Sequence, residues 1–380
     1  MGGLARCSTR SVARRRSVGF HQVSLPWTPR LLAVTDTAPI RPDERFDELV
    51  VAAYLHNTLP EMFPCQDVVF DQFPGGAANL TYRARCPEGD EWVLRRAPLG
   101  RVAEGGHDMA REYWVLSQLW QEYPLAPRAY HYCDDPDVMG KPFFVMERRH
   151  GSVIRREWPA GCVDDPLHKR AVAESLVDAL CDLHTVDPDA VGLGGLGHPD
   201  GFVGRQIDGW SRRWAAAATR PVEDMDTAAE LLRADVPEPE RVAILHNDFK
   251  LDNTMVGEDG NLVAVFDWDM ATLGDPLVDI GTLLAYWAQP GDPTYLVFGS
   301  EAVAIGDVMP KAEVRDRYAR RTGFDVSNIA YYEGLALFRI AVIIEQIYAR
   351  YVAGQTADKR FADFEPLAPL LAAAARNLLS

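Results

Sequence analysis

The chain has 380 residues, 47% of them hydrophobic and 25% charged, the proportions of a globular protein long enough for about two domains or one two-lobed unit. A net charge of −16 argues against nucleic acid as the main partner. No run of about 18 apolar residues occurs that would cross a membrane as a helix, and six cysteines without a C-x-x-C pair read as reduced thiols of a cytoplasmic protein.

Met1–Thr35 carries Arg6, Arg10, Arg14, Arg15, Arg16 and Arg30 and no acid. It fits a transit peptide or an upstream extension translated from an overcalled start codon. The body is rich in Ala and has five lysines against many arginines, which suggests GC-rich bacterial coding and favours the second reading. Residues 1–37 are expected to be a disordered extension.

Asp43–Leu59 places Phe46, Leu49, Val50, Ala53 and Tyr54 at helical spacing. Val68–Phe73, Leu80–Cys86 and Glu91–Arg96 read as strands. The small-residue turn Pro74–Asn79 separates the first two, and Pro87–Asp90 the next. A strand, a glycine turn and a strand can cover nucleotide phosphates with backbone N–H groups, which makes Gly75, Gly76 and Asn79 candidates. Arg95 and Arg96 have opposite strand parity, and Arg96 is expected to face solvent. The helix His107–Glu122 has Met109, Tyr113, Leu116 and Trp120 on one stripe with Glu112 beside it. Arg128–Cys133 and Pro142–Met146 read as strands around the Asp134–Gly140 turn. Beyond Arg148 the pattern turns helical, over Leu167–Leu183, Phe202–Ala218 and Asp224–Ala234. Cys181 and His184 read as a core thiol and a helix-face histidine, since no second pair completes a zinc site.

Leu245–Gly281 is the stretch that carries chemistry. Thr254–Val256 and Leu262–Phe266 are β-prone runs joined by Glu258-Asp259-Gly260, a tight antiparallel hairpin. Its closure brings Asn253, before the first strand, beside Asp267, after the second, with Asp248 close by on the entering loop. Such oxygen donors suit phosphoryl transfer: Mg²⁺ takes hard oxygen ligands, and a second carboxylate can accept the proton of an attacking hydroxyl. Downstream, Thr282–Ala288 reads as an apolar helix, Gly291–Gly306 as a loop or lid, and Pro310–Thr322 as a charged helix. Asn328–Arg350 is apolar nearly all round and should be buried, so Glu333, Arg339, Glu345 and Gln346 need partners.

His246, Asp248, Lys250, Asn253 and Asp267 fall at the relative positions of the kinase motif H-R-D-x-x-x-x-N and its downstream metal-binding Asp. With Gly274-Asp275-Pro276 and Asp279-Ile280-Gly281, the stretch resembles the aminoglycoside phosphotransferase and choline kinase group. It is most similar to the kinase-like domain sometimes fused to acyl-CoA dehydrogenases. Gly75–Tyr82, GGAANLTY, resembles the family's GG-x-x-N-L-T-Y. Val93-Leu94-Arg95 and Leu337–Gly354 resemble the dehydrogenase-fused subgroup. The family's usual Gly after the His is Asn247 here, and the likeness covers roughly residues 70–354.

The resemblance implies a protein-kinase-like two-lobed α+β fold, with a small β-rich N-lobe over 38–147 and a larger helical C-lobe over 148–380. It implies an ATP- or GTP-dependent phosphotransferase acting on a hydroxyl of a small molecule. Asp248 would orient and deprotonate the acceptor, and Lys250 would neutralise charge on the transferred group. Asn253 and Asp267 would hold Mg²⁺. Arg95, where protein kinases have Lys, would hold nucleotide phosphates with Glu112 as its partner. Glu147 and Arg148 would mark the hinge whose backbone binds adenine. Asp275 and Asp279 would brace the loop, while Asp269 stays open between a second metal ligand and a solvated neighbour. The apolar Asn328–Arg350 helix with its one Arg339 favours a hydroxyacyl acceptor over an aminoglycoside, which remains the alternative. A nucleotide-binding pseudokinase scaffold is the alternative of another class, with Arg95 its main support. Oligomeric state is left open.

Overall fold

Asp47 starts the first helix by accepting hydrogen bonds from the backbone N–H of Leu49 and Val50, which caps α1 (Glu48–Thr58). The computed structural model describes residues 36–74, 79–87, 89–99, 108–155, 158, 159, 162, 165–292, 295, 305–356 and 358–380. The expectations for Met1–Thr35, for Gly75 and Gly76, and for most of the Gly291–Gly306 lid lie outside these residues. Thr37, read from sequence as part of the extension, is buried and belongs to the folded unit Thr37–Ser380.

Five short strands follow the alternation in the sequence: β1 (Val69–Gln72), β2 (Leu80–Arg85), β3 (Glu91–Arg96), β4 (Ala129–Cys133) and β5 (Phe143–Glu147). They form one antiparallel sheet in the order β1-β2-β3-β5-β4, with Leu94 opposite Val145 and Trp92 opposite Glu147. Helix α2 (Met109–Leu119) lies between β3 and β4, and a short helix α3 (Pro136–Met139) occupies the turn before β5. The strand period of two divides the sheet into faces. Leu94, Phe143 and Val145 pack with Val51 and Leu55 of α1. Val93, Phe144 and Met146 join the main core with Val115 and Leu119 of α2.

That division corrects the expectation for Arg96. Its parity is indeed opposite to that of Arg95, but its face is covered by α1 and the segment before it, and Arg96 is 1% exposed. Its guanidinium donates to Met139 O at 2.9 Å, Glu44 O at 2.7 Å and the Tyr82 hydroxyl at 2.6 Å. Parity states which face a side chain takes, whereas the covering of that face is a tertiary fact.

The second lobe is built from α4 (Pro166–Thr185), α5 (Phe202–Ala217), α6 (Glu223–Ala234), α7 (Leu277–Tyr286), α8 (Lys311–Thr322), α9 (Ile329–Val352) and α10 (Leu367–Leu379). Helix α9 runs through its middle, packed by α5, α6, α7 and α10. A Cβ on Gly281 would meet the Tyr332 backbone at 2.6 Å, so α7 lies close against α9 only because that position is glycine. Two of the polar residues of α9, Glu333 and Glu345, do find partners. Glu333 accepts from Lys311 Nζ at 2.7 Å and Arg315 at 2.8 Å. Glu345 accepts from Thr219 N at 2.9 Å. Helix α7 begins earlier than expected, at Leu277, whose N–H is capped by Asp275 at 3.0 Å. The sheet and helices make a two-lobed α+β architecture. No helix among the described residues is long and apolar enough to cross a membrane.

Candidate active site

Two three-residue strands that periodicity does not reveal, β6 (Ala243–Leu245) and β9 (Thr272–Gly274), pair antiparallel, Leu245 opposite Thr272. Between them lies the hairpin of β7 (Thr254–Val256) and β8 (Leu262–Val265), with Thr254 opposite Val265. The hairpin forms as its turn residues direct. The Phe266 N–H donates to Asn253 O at 2.9 Å, which sets Asn253 beside Asp267.

The loop entering the hairpin is held by its first residue and by a distant acid. His246 is fully buried. Its Nδ1 accepts the Asp248 N–H at 3.3 Å and its Nε2 lies 2.7 Å from Phe266 O, a pattern that assigns the Nε2–H tautomer. The imidazole thereby ties the entering loop to the end of β8. Asp279, also fully buried, accepts the N–H of His246 at 2.6 Å and of Asn247 at 2.8 Å. His184 approaches the same carboxylate at 3.4 Å and is itself bonded to the Tyr318 hydroxyl at 2.7 Å. Burial would raise the Asp279 pKa, but His184, His246 and the backbone donors outweigh it and hold it below the usual carboxylate value. His184, the helix-face histidine of the sequence reading, is thus a buried link from α4 to the loop. Asn247 has φ of 66°, a conformation that Gly and Asn adopt readily; this accounts for the residue where the family has Gly.

Asp248 is surrounded by donors. Lys250 Nζ donates to its two carboxylate oxygens at 2.9 and 2.8 Å, and Asn253 Nδ2 to Oδ2 at 2.8 Å and to the Asp248 backbone O at 2.9 Å. The Lys250 ammonium also sits 5.1 Å from the centre of the Tyr286 ring. Burial opposes its charge, yet Tyr286, Asp248 and Asp252 together raise its pKa. Because Asn253 spends its NH₂ on Asp248, its carbonyl oxygen is the end left for a cation.

Asp267 has φ of 70° and opens a short 3-10 turn, Trp268–Met270. Its carboxylate pairs with Arg95 Nη2, and Arg95 Nε donates to Glu112 Oε2 at 2.8 Å. The other Glu112 oxygen accepts the Trp268 N–H at 3.4 Å. Arg95, Glu112 and Asp267 therefore form one chain that ties β3 and α2 to the hairpin. Arg111 of α2 strengthens the tie, donating from Nε to Ala271 O at 2.9 Å. Burial pushes the Glu112 carboxyl up, Arg95 opposes this, and Asp267 and Asp269 add to it, leaving a pKa of about 7. For Arg95, burial is outweighed by Glu112, Asp267 and Asp269, and its pKa is raised.

The remaining sequence candidates stand apart from this cluster. The Glu147 carboxylate accepts the Arg128 N–H at 3.2 Å and pairs with Arg149 at 2.9 Å. The Arg148 guanidinium lies 4.9 Å from the centre of the Phe73 ring. Asn79 is 2% exposed, and neither atom of its amide has a partner among the described residues. Asp275 accepts the Tyr332 hydroxyl at 2.5 Å besides capping α7. Sequence reading did not assign roles to Arg111 or Tyr318, each of which acts through a partner far along the chain, or to Asp252, whose charge bears on Lys250 two residues before it.

The model of the phosphotransferase enzyme family matches residues 69–331. Acyl-CoA dehydrogenase family member 10 of Mus musculus is 28% identical over 336 residues, 86% of this chain and 30% of that protein. Acyl-CoA dehydrogenase family member 11 of Rattus norvegicus is 28% identical over 331 residues, 85% of this chain and 42% of that protein. The chain spans less than half the length of these curated relatives. A Ralstonia eutropha protein, described provisionally as an aminoglycoside phosphotransferase, superposes with a TM-score of 0.75 at 27% identity, covering 88% of this chain and 98% of that one. Aminoglycoside phosphotransferase APH(4)-Ia, solved as a ternary complex with AMP-PNP and hygromycin B, gives 0.55 at 16% identity, covering 86% and 98%. At that identity the likeness concerns the fold, which is protein-kinase-like and two-lobed.

Proposed function

This chain belongs to the phosphotransferase enzyme family, and on that premise we propose that it moves the γ-phosphate of ATP or GTP to a hydroxyl of a small molecule, with a hydroxyacyl compound as the favoured acceptor. The observation that carries the reading is the convergence of Asp248, Lys250, Asn253, Asp267 and Arg95 through direct hydrogen bonds and one hairpin.

The donor set fits Mg²⁺: one carboxylate of Asp267, one amide oxygen of Asn253 and phosphate oxygens are hard ligands, and Asp267 already faces a cation, Arg95. When bound, the metal would neutralise charge on the phosphates. Asp248 accepts the proton of the acceptor hydroxyl and orients it. Lys250, 20% exposed and bonded to Asp248, supplies positive charge beside the transferred group. Arg95 grips nucleotide phosphates, and Glu112 sets its direction. By the family likeness Gly75, Gly76 and Asn79 would contact the phosphates, and the Glu147–Arg148 backbone would receive the base. Most of the rate then comes from positioning and electrostatics, with the proton acceptor a secondary contribution.

The net charge of −16 supports an aminoglycoside as the second reading. The apolar face of α9 speaks for a hydrophobic acceptor. ADP release with Mg·ATP is to be measured on kanamycin-type aminoglycosides, choline-like amines and hydroxyacyl compounds. Turnover confined to the aminoglycosides, at a kcat/KM of about 10⁴ M⁻¹s⁻¹ or above, would reverse the choice. Nucleotide binding without turnover of any acceptor would move the reading to a pseudokinase scaffold.

A further inference from the structure

Arg339 lies within α9 and is 5% exposed. Its Nη2 donates to Asn247 O at 3.1 Å, and its Nη1 has no partner among the described residues. No carboxylate of the described residues is recorded within ion-pair distance of it. Its guanidinium carbon sits 5.5 Å from the centre of the Trp210 ring, and Arg213 lies 4.4 Å from the same ring. A buried cation with an unused donor is costly unless something satisfies it. Its one hydrogen-bond acceptor is the backbone immediately before Asp248, so the unused donor belongs to the acceptor side of the site. Asn247 Oδ1 is likewise without a partner. One and two turns further along α9, Ile343 and Ile347 follow at helical spacing, the first 37% exposed and the second half-buried.

We propose that Arg339 is the specificity-determining residue for the acceptor and takes an anionic oxygen, a carboxylate, through Nη1. The acceptor's apolar chain then lies along Ile343 and Ile347, and its hydroxyl is at Asp248. Because Arg339 holds the residue next to Asp248, carboxylate and hydroxyl are separated by a short chain. The proposal rests on the phosphotransferase reading only in taking Asp248 as the place of the hydroxyl.

Two measurements on the full chain test it. Calorimetry compares binding of hexanoate and hexanamide; ADP release compares hydroxyhexanoates with the matching hexanediols. Wild type, Arg339→Gln and Arg339→Met are used, the last because it keeps an unbranched chain of similar length without the charge or the donors. The wild type is expected to prefer carboxylate over amide by about tenfold or more, and either variant to lose that preference through KM. A wild type without the preference overturns the proposal, as does a folded variant that keeps it. Equal loss of turnover on acids and diols, with hexanoate preference intact, assigns Arg339 to holding the loop alone and also overturns it. Arg339-dependent hexanoate binding without turnover of any alcohol supports the anchor and sinks the phosphotransfer reading instead.

Discussion

Replacing Asp279 by Asn removes one oxygen and one charge from a fully buried site. The wild-type carboxylate receives two backbone N–H groups, of His246 at 2.6 Å and Asn247 at 2.8 Å, and is 0% exposed. An asparagine can accept one of them; its NH₂ then faces the other. A lost charge-assisted bond costs about 1.5–3 kcal/mol and a stranded buried N–H about 1–3 kcal/mol, so a destabilisation of about 3–5 kcal/mol is expected. An unfolding entropy of about 2.1 cal/mol/K per residue over about 340 residues is roughly 0.7 kcal/mol/K. The melting temperature should therefore fall by about 4–7 °C. The stranded N–H lies one or two residues before Asp248, so kcat should fall by about tenfold or more while nucleotide affinity stays within a few-fold. The folded pKa of Asp279 is lowered, so its stabilisation is present above the unfolded value of about 3.9. It is lost as pH falls through the lower folded value, and Asp279→Asn should lack this acid sensitivity. Calorimetric melting at several pH values and steady-state kinetics are the assays. A variant melting within 1 °C of wild type with unchanged kcat would refute the claim that Asp279 holds the loop.

Asp248→Ala should lower kcat by about 10²–10⁴ and leave Mg·ATP affinity within a few-fold, whereas Asp267→Ala should weaken Mg·ATP binding itself; titration calorimetry separates the two, and equal losses would dissolve the role assignment. Arg95→Lys should raise the KM for ATP less than Arg95→Ala but measurably, since the guanidinium fork that reaches both Glu112 and Asp267 is lost. Glu112 titrates near 7, above its unfolded value. The folded state therefore binds the extra proton, and stability should decline as pH rises from about 4.3 to about 7 and then level off. Glu112→Gln should flatten that slope in denaturant titrations, and an unchanged slope would place the titrating group elsewhere.

Much of the site was legible because it is local. Asn253 and Asp267 are joined by a hairpin whose turn residues, Glu258-Asp259-Gly260, are contiguous in the sequence, and strand parity correctly separated Arg95 from Arg96. The pairing of Arg95 with Glu112 also followed, from a strand and a helix adjacent in the chain. Other features depend on groups brought together from far apart. Arg96 is buried because α1 covers the outer face of the sheet, and no parity rule states what covers a face. The β6 and β9 strands have three residues each and gain their identity only by pairing with one another. His184, Asp279 and His246 span four separate segments with Tyr318, and the unused donor of Arg339 is defined by what does not reach it. Periodicity and turn chemistry act between near neighbours, so the chain itself determined the hairpin and its oxygen donors. Burial, hydrogen-bond satisfaction and the shifted acidities are sums over distant neighbours, and only the packed structure decided them.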